Sequence, residues 1–149
     1  MKTFTIALMP GDGIGREIVP PCLDLLSDAA AITGGFALTG TTVEAGAEYY
    51  KKTGKDFDDT QYPIIDNADA ILLGAMRLPD ICYPDGREIA PHLDLRDRYQ
   101  LFAGVRPIKS YPGIPPMLAS PKQADIDFIR DQSHDRRGQK HIGEDESVK

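Results

Sequence analysis

Met9-Pro10-Gly11-Asp12-Gly13-Ile14-Gly15-Arg16-Glu17 is the stretch on which the fold turns. Before it, Thr3 to Met9 alternates and is rich in β-formers, which predicts a strand. After it, Ile14, Ile18, Cys22, Leu25, Leu26 and Ala29 recur at helical spacing and predict a helix that buries this face. Pro20 and Pro21 work against that helix, because each removes a backbone donor and bends the chain. Gly34-Gly35 closes it. A turn between strand and helix exposes backbone N–H groups at a helix N-terminus, where anions are favoured. The spacing is not the Rossmann fingerprint G-x-G-x-x-G, since the third glycine comes one residue early and Glu44 is misplaced for a ribose contact. Taken alone, the loop reads either as an anion-binding turn or as a plain structural one.

Outward from the loop the same alternation continues. Phe36 to Val43 predicts a second strand, residues 44–60 a polar surface loop or short helix, and 61–68 a short helix. Ala70-Ile71-Leu72-Leu73, ended by Gly74, reads as a strand buried on both faces. Residues 74–90 form a loop with Pro79 and Pro84. Pro91 opens a helix running to about Gln100. Phe102 to Ile108 is a further strand, and the proline-rich stretch 110–121 is irregular. Strands alternating with helices over short links define an α/β fold with a mainly parallel sheet flanked by helices. From Asp131 to Lys149 only Ile142 and Val148 are strongly apolar. Such a segment buries too little surface to offset its ordering entropy, so a disordered C-terminal tail is expected.

Composition narrows the class. With 149 residues, 41% hydrophobic and 27% charged, the chain is suited to one ordinary globular domain. No apolar run approaches the roughly 18 residues of a membrane span, so no membrane partner is expected. The Met1–Pro10 segment reads as a strand rather than a secretory leader. A net charge of −6 without a basic patch argues against nucleic acid. Cys22 and Cys82 are too few and too distant for a disulfide framework, and read as reduced packing thiols of a cytoplasmic protein.

Chemistry is concentrated in Leu93-Asp94-Leu95-Arg96-Asp97-Arg98-Tyr99-Gln100-Leu101-Phe102-Ala103-Gly104-Val105-Arg106-Pro107. Arg96 falls near the end of a predicted helix and Arg106 near the end of the next strand. Two guanidinium groups on elements that fold back on each other can converge on one anion, and the planar fork of arginine pairs bidentately with a carboxylate. The plainer alternative is that both are solvated surface charges.

Together these segments resemble the isopropylmalate/isocitrate/tartrate dehydrogenase family of metal-dependent β-decarboxylating enzymes. Pro10-Gly-Asp-Gly-Ile-Gly-Arg-Glu17-Ile18 is similar to the signature that opens the family, with Arg16 where the family usually has Pro. Leu93-x-Leu-Arg96 and Leu101-Phe102-Ala-x-x-Arg106-Pro107 are similar to the segment whose two arginines bind the malate portion of the substrate. Ala68 to Ala75 resembles the strand that ends beside the nicotinamide, with Arg77 shortly after it where the family commonly has Gly.

The resemblance implies an isopropylmalate-dehydrogenase-like, non-Rossmann fold, present in part. It implies substrate contacts at Arg96, Arg106 and His92, with Arg130 standing for a third substrate arginine. It implies cofactor contacts at Gly11, Asp12, Gly13, Ile14, Gly15, Gly74 and Ala75. His92, at the position that faces the variable group of the substrate, tilts the choice towards tartrate or D-malate. NAD or NADP and Mg2+ or Mn2+ are the implied cofactors, the substrate is a small 2-hydroxy dicarboxylate, and the family is homodimeric.

The resemblance is expected to run from residue 3 to about 128. Residues 1–105 then form the N-terminal half of a first domain, 106–130 the start of a second, and 131–149 a tail outside the family pattern. The tyrosine, lysine and aspartates that perform proton transfer and hold metal in the family have no counterpart here, so no catalytic or metal-binding residue is assigned. The expectation is a truncated oxidoreductase, inactive alone. The alternative is a non-catalytic module that binds a ligand or pairs with a full-length subunit.

Overall fold

The protein is described by a computed structural model covering residues 1–115 and 125–131. The remainder of the proline-rich stretch and the tail from residue 132 lie outside the described residues. By its internal contacts the chain divides between His92 and Leu93 into two compact units. The division falls inside a helix, ahead of the 105/106 boundary expected between the domains, and among the described residues the strand that follows pairs with a later strand.

The first unit is organised around β1 (Lys2–Met9), the middle of a three-stranded parallel sheet. On one side it pairs with β2 (Phe36–Thr42), from Lys2 opposite Phe36 to Leu8 opposite Thr42. On the other it pairs with β3 (Ala70–Leu73), from Ile6 opposite Ala70 to Met9 opposite Leu73. The central position explains why Ala7 and Met9 are fully buried. Asp69 fixes the start of β3 against β1. Its carboxylate accepts from the Thr5 N–H at 2.7 Å and hydroxyl at 3.0 Å, and its own N–H donates to the Thr5 carbonyl at 2.8 Å. Those two bonds to the carboxylate, backbone first, hold it below the ordinary carboxylate range.

Helix α1 (Ile14–Thr33) connects β1 to β2 and runs straight through Pro20 and Pro21. Both prolines are exposed, so their rings meet solvent rather than packed neighbours. The buried face is not the expected one. Gly15, Val19 and Ala30 are buried, whereas Ile14, Ile18, Leu25 and Leu26 are largely exposed, Leu25 at 69%. Periodicity identified the apolar stripe correctly but not the stripe that meets the sheet. Small residues were needed there, since a Cβ on Gly74 would come within 2.9 Å of the Val19 side chain. Cys22 and Cys82, expected as packing groups, are exposed for the same kind of reason: neither faces the core.

After β2 come α2 (Ala47–Thr53), a 3-10 turn (Asp59–Gln61) and α3 (Tyr62–Asp66). The expected polar loop of residues 44–60 thus contains a helix, and an isolated bridge between Ala45 and Phe57 draws its ends together. β3 is a correction. It was expected to be buried on both faces, but Leu73 is 44% exposed, because β3 is an edge strand among the described residues. The core of this unit is Ala7, Met9, Val19, Val43, Ala47, Ile65, Met76 and Ile89. A fully buried side chain of the larger kind stabilises by about 1.5–3 kcal/mol.

Helix α4 (Pro91–Arg98) starts at Pro91, whose missing N–H costs nothing in a first turn. It closes with a left-handed Gln100 (φ 51°). The Leu101 N–H donates to the Arg96 carbonyl at 2.9 Å and the Gln100 N–H to the Asp97 carbonyl at 3.2 Å, which satisfies two terminal carbonyls. In the second unit β4 (Ala103–Lys109) and β5 (Asp125–Asp131) form an antiparallel ribbon. β5 was not expected from sequence. Asp131 ends this strand instead of opening the tail.

Candidate functional site

The glycine loop is built by backbone packed against backbone. Gly11 has φ 70°, and a Cβ there would overlap the Ala75 carbonyl oxygen. A Cβ on Gly15 would overlap the Pro10 carbonyl oxygen, and so would one on Gly74. Three glycines expected at a cofactor contact therefore let the loops after β1 and β3 touch each other. The Asp12 N–H donates to the Ala75 carbonyl at 2.7 Å and the Gly74 N–H to the Met9 carbonyl at 2.8 Å, which stitches the two loops together.

Asp12 is 1% exposed, the one buried charged residue among those described. Its Oδ2 accepts from the Ala47 N–H at 2.8 Å and the Arg77 N–H at 3.0 Å, and its Oδ1 accepts from the Glu48 N–H at 2.8 Å. Burying a carboxylate is costly unless it is fully hydrogen-bonded, and here three amides compensate it. The same carboxylate caps α2 from a distance. The cap residue of α2 is Gly46, which has no side chain to offer, and a Cβ there would lie 2.5 Å from Asp12 Oδ2. Asp12 thus has its acceptor capacity committed within the fold. Sequence reading missed this capping, although a helix that starts on glycine signals that its first-turn amides need an acceptor from elsewhere.

Arg16 projects from the first turn of α1 to Glu44 at 2.8 Å and Glu48 at 3.1 Å. The hydrogen bond to Glu44 is the main reason its guanidinium is held above the ordinary value, partly opposed by burial. Glu44 is thereby engaged with the chain itself. Gly13 and Ile14 remain as the outward part of the loop: Ile14 is 57% exposed, and the Gly13 N–H at the α1 N-terminus donates to Glu48 Oε1 across a long 3.5 Å.

Arg77 is the irregular residue of this region. Its φ of 152° is a conformation that favours glycine, and a non-glycine residue there costs on the order of 1–3 kcal/mol. A glycine would donate the same N–H to Asp12, so that bond does not explain the side chain. The guanidinium pairs with Glu88 at 2.7 Å, with the two side chains 59% and 53% exposed. An exposed ion pair contributes roughly 0–1 kcal/mol. The pair does not offset the strain.

His92 lies half-buried in the first turn of α4 and Arg96 half-buried near its end, and both are engaged in interactions. Arg106 is in the middle of β4 opposite Phe128, and Arg130 is on β5 opposite Gly104. Residues directly opposed in an antiparallel pair share a face, and so do residues two apart on one strand. Arg106 and Arg130 are therefore diagonal neighbours on one face of the ribbon, both exposed. Diagonal positions lie about 7–8 Å apart, within joint reach of one small anion for side chains as long as arginine. Gly104, opposite Arg130, leaves that part of the face open. Among the described residues no cluster of three His, Cys, Asp or Glu side chains is placed to hold a metal ion. No helix among them is long and apolar enough to cross a membrane.

The fold, a parallel α/β unit followed by α4 and an antiparallel ribbon, is similar to that of isocitrate dehydrogenase. The isocitrate/isopropylmalate dehydrogenase family model matches residues 5–146, and the chain belongs to that family. The match continues past residue 128, where the resemblance was expected to stop.

The chain is 39% identical to the decarboxylating D-malate dehydrogenase of Escherichia coli, over 86% of its own length and 36% of that protein. It is 38% identical to the tartrate dehydrogenase/decarboxylase of Pseudomonas putida, over 85% of its length and 35% of that protein. It is 37% identical to the 3-isopropylmalate dehydrogenase of Thermobifida fusca, over 86% and 36%. The chain thus spans about a third of the length of these relatives. Among solved structures it superposes on the isocitrate dehydrogenase of Methylococcus capsulatus with a TM-score of 0.60 and 25% identity, covering 86% of this chain and 34% of that one. The apo β-decarboxylating dehydrogenase of Thermococcus kodakarensis shares the fold at a TM-score of 0.53 and 21% identity, covering 85% and 41%.

Proposed function

We propose that these residues supply the anion-gripping part of a β-decarboxylating dehydrogenase acting on a 2-hydroxy dicarboxylate of the D-malate or tartrate type. The observation that carries the reading is the placement of Arg106 and Arg130 on one exposed face of the β4–β5 ribbon. A malate-type substrate presents two carboxylates, and guanidinium forks fix each of them in position and plane. Arg96 adds a third cation from α4. His92 offers a polar contact for a hydroxyl-bearing substituent, in keeping with the similarity to D-malate and tartrate dehydrogenases.

Gly13 and Ile14 at the α1 N-terminus, with Gly74 and Ala75 alongside, are suited to hold an NAD(P)+ cofactor. When bound, that cofactor supplies the acceptor for the hydride of the hydroxyl-bearing carbon. Asp12 positions the loop and does not touch the ligand. The described residues do not fit a divalent metal, so the residues for it and for proton transfer belong to sequence outside them. In this reading residues 1–105 belong to the first domain of the enzyme and 106–130 to the start of the second, and the 149-residue chain does not turn over by itself.

The test is calorimetric titration of D-malate into the chain, alongside an assay for NADH with NAD+, D-malate and Mn2+. Wild-type chain is expected to bind D-malate. Arg106→Ala and Arg130→Ala are each expected to weaken it by on the order of tenfold or more, the value of one charge-assisted hydrogen bond. No NADH is expected. Unchanged affinity in both variants, or steady NADH formation, would overturn the reading.

A second reading is favoured by one observation. The stripe Ile14, Ile18, Leu25 and Leu26 on α1 is exposed. An interaction module that covers this stripe with a full-length subunit of the same family would co-purify with that subunit.

A further inference from the structure

We infer that the outer face of α1 is a docking surface for an amphipathic helix of another protein, one with an apolar seam and a lysine- or arginine-bearing flank. The inference rests on the second reading above for the stripe being a contact surface, and it names what the partner presents. The argument begins with spacing. Ile18, Pro21, Leu25, Asp28 and Ile32 follow one another in α1 at alternating steps of three and four residues. Such steps set the side chains in one line along a helix, and a second helix packs alongside on that spacing. All five are exposed, Leu25 at 69% and Ile32 at 87%.

The face of α1 that meets the sheet is a different one, marked by the buried Val19 and Ala30. A helix that serves only its own core carries one apolar face, whereas α1 carries a second. At about 1.5 Å per residue the outer line is roughly 21 Å long. Among the described residues the other α-helices have 7, 5 and 8 residues. None of them is long enough to cover the line, so its occupant comes from elsewhere.

Charge chooses the occupant. Glu17 and Asp24 border the line on one side, and Asp28 lies within it. All three are exposed, and none makes an ion pair among the described residues. Arg16, the one cation of α1, is tied to Glu44 and Glu48. A second copy of this chain fits poorly. A parallel pair of α1 helices sets Asp28 against Asp28 inside the seam, and an antiparallel pair lays acidic flank against acidic flank. A partner helix with cations opposite these carboxylates removes both conflicts, because flanking charges select the partner of a paired helix.

The test uses the 149-residue chain and two synthetic peptides of about 20 residues, long enough to hold a helix. Both carry leucine along the seam, one with lysine flanks and one with glutamate flanks. Wild-type chain is expected to bind the lysine-flanked peptide more tightly by on the order of tenfold, read by fluorescence anisotropy. Leu25→Ser is expected to weaken that complex by on the order of tenfold. Asp28→Lys is expected to move the preference towards the glutamate-flanked peptide. Asp59→Lys makes the same charge change away from α1 and is expected to keep the wild-type preference.

The inference fails if neither peptide binds, if Leu25→Ser binds as wild type does, or if Asp28→Lys and Asp59→Lys behave alike. It fails also if sedimentation of the chain alone shows a dimer that Leu25→Ser disperses, since the occupant is then a second copy. The second reading has its own measurement. It falls only if full-length D-malate dehydrogenase of Escherichia coli does not co-purify with the chain.

Discussion

The two units hold their polar groups in opposite ways. The first packs loops so closely that a Cβ on Gly11, Gly15 or Gly74 would overlap the carbonyl of Ala75 or Pro10, and it places a carboxylate at 1% exposure under three backbone donors. The second is a ribbon whose hydrogen bonds run strand to strand while Val105, Ile108, Ile126, Phe128 and Ile129 remain more than half exposed. Leu95 is its one buried apolar side chain among those described. Rigidity in the first unit comes from a polar centre that must be satisfied. In the second, among the described residues, it comes from ladder bonds and an exposed Lys109–Asp125 pair at 3.5 Å, and Arg106 and Arg130 stand in the open. Pairing register suffices to bring two arginines together, but a glycine loop needs a core behind it.

The sharpest way to break this contrast is Asp12→Asn. An amide nitrogen would then face backbone donors, and the loss of a buried charged acceptor is expected to cost about 3 kcal/mol. Hydrogen exchange should speed up at the amides of Ala47, Glu48 and Arg77, while the amides paired between β4 and β5 keep their wild-type protection. Equal loosening of the ribbon would refute the division of labour.

A smaller effect distinguishes the two faces of α1. Val19→Ala removes buried apolar volume and is expected to cost about 1–2 kcal/mol in denaturant unfolding. Leu25→Ala, on the exposed stripe, should stay within about 0.5 kcal/mol. If Leu25→Ala is the costlier of the two, the expected face was the right one after all.

The smallest effect concerns pH. The Asp69 carboxyl is lowered in the folded protein, first by the Thr5 N–H and then by its hydroxyl. A lowered folded pKa means a contribution present above the ordinary value of 3.8 and lost as pH falls through the folded value. Asp69→Asn is therefore expected to flatten the acid limb of a melting-temperature profile while leaving the profile above pH ~5 parallel to wild type. An unchanged acid limb would mean that Asp69 does not anchor β3.

Much of this was legible beforehand because the signals are local. The strand before Gly11, the helix after it, the Pro91 start and the strand carrying Arg106 follow from alternation, helical spacing and turn residues. The segments that resemble the dehydrogenase family led to the right family. The buried face of α1 was misread because hydrophobicity marks which side chains prefer burial, whereas the sheet accepted only the small side of the helix at Gly15 and Val19. β5 was missed because the alternation of Asp125-Ile126-Asp127-Phe128 is short and breaks at Ile129, and its register is set only by pairing with β4.

What the sequence determined by itself was the set of elements, their order and the candidate arginines, since propensity and spacing act within a few residues. What only tertiary structure decided was the use of each polar group. Asp12 became the cap of a helix that begins 35 residues later, Arg130 came to share a face with Arg106, and Arg77 was left at φ 152° paired with Glu88. A polar group is assigned its role by whichever donor or charge the fold brings within about 3 Å, and that neighbour is distant in sequence.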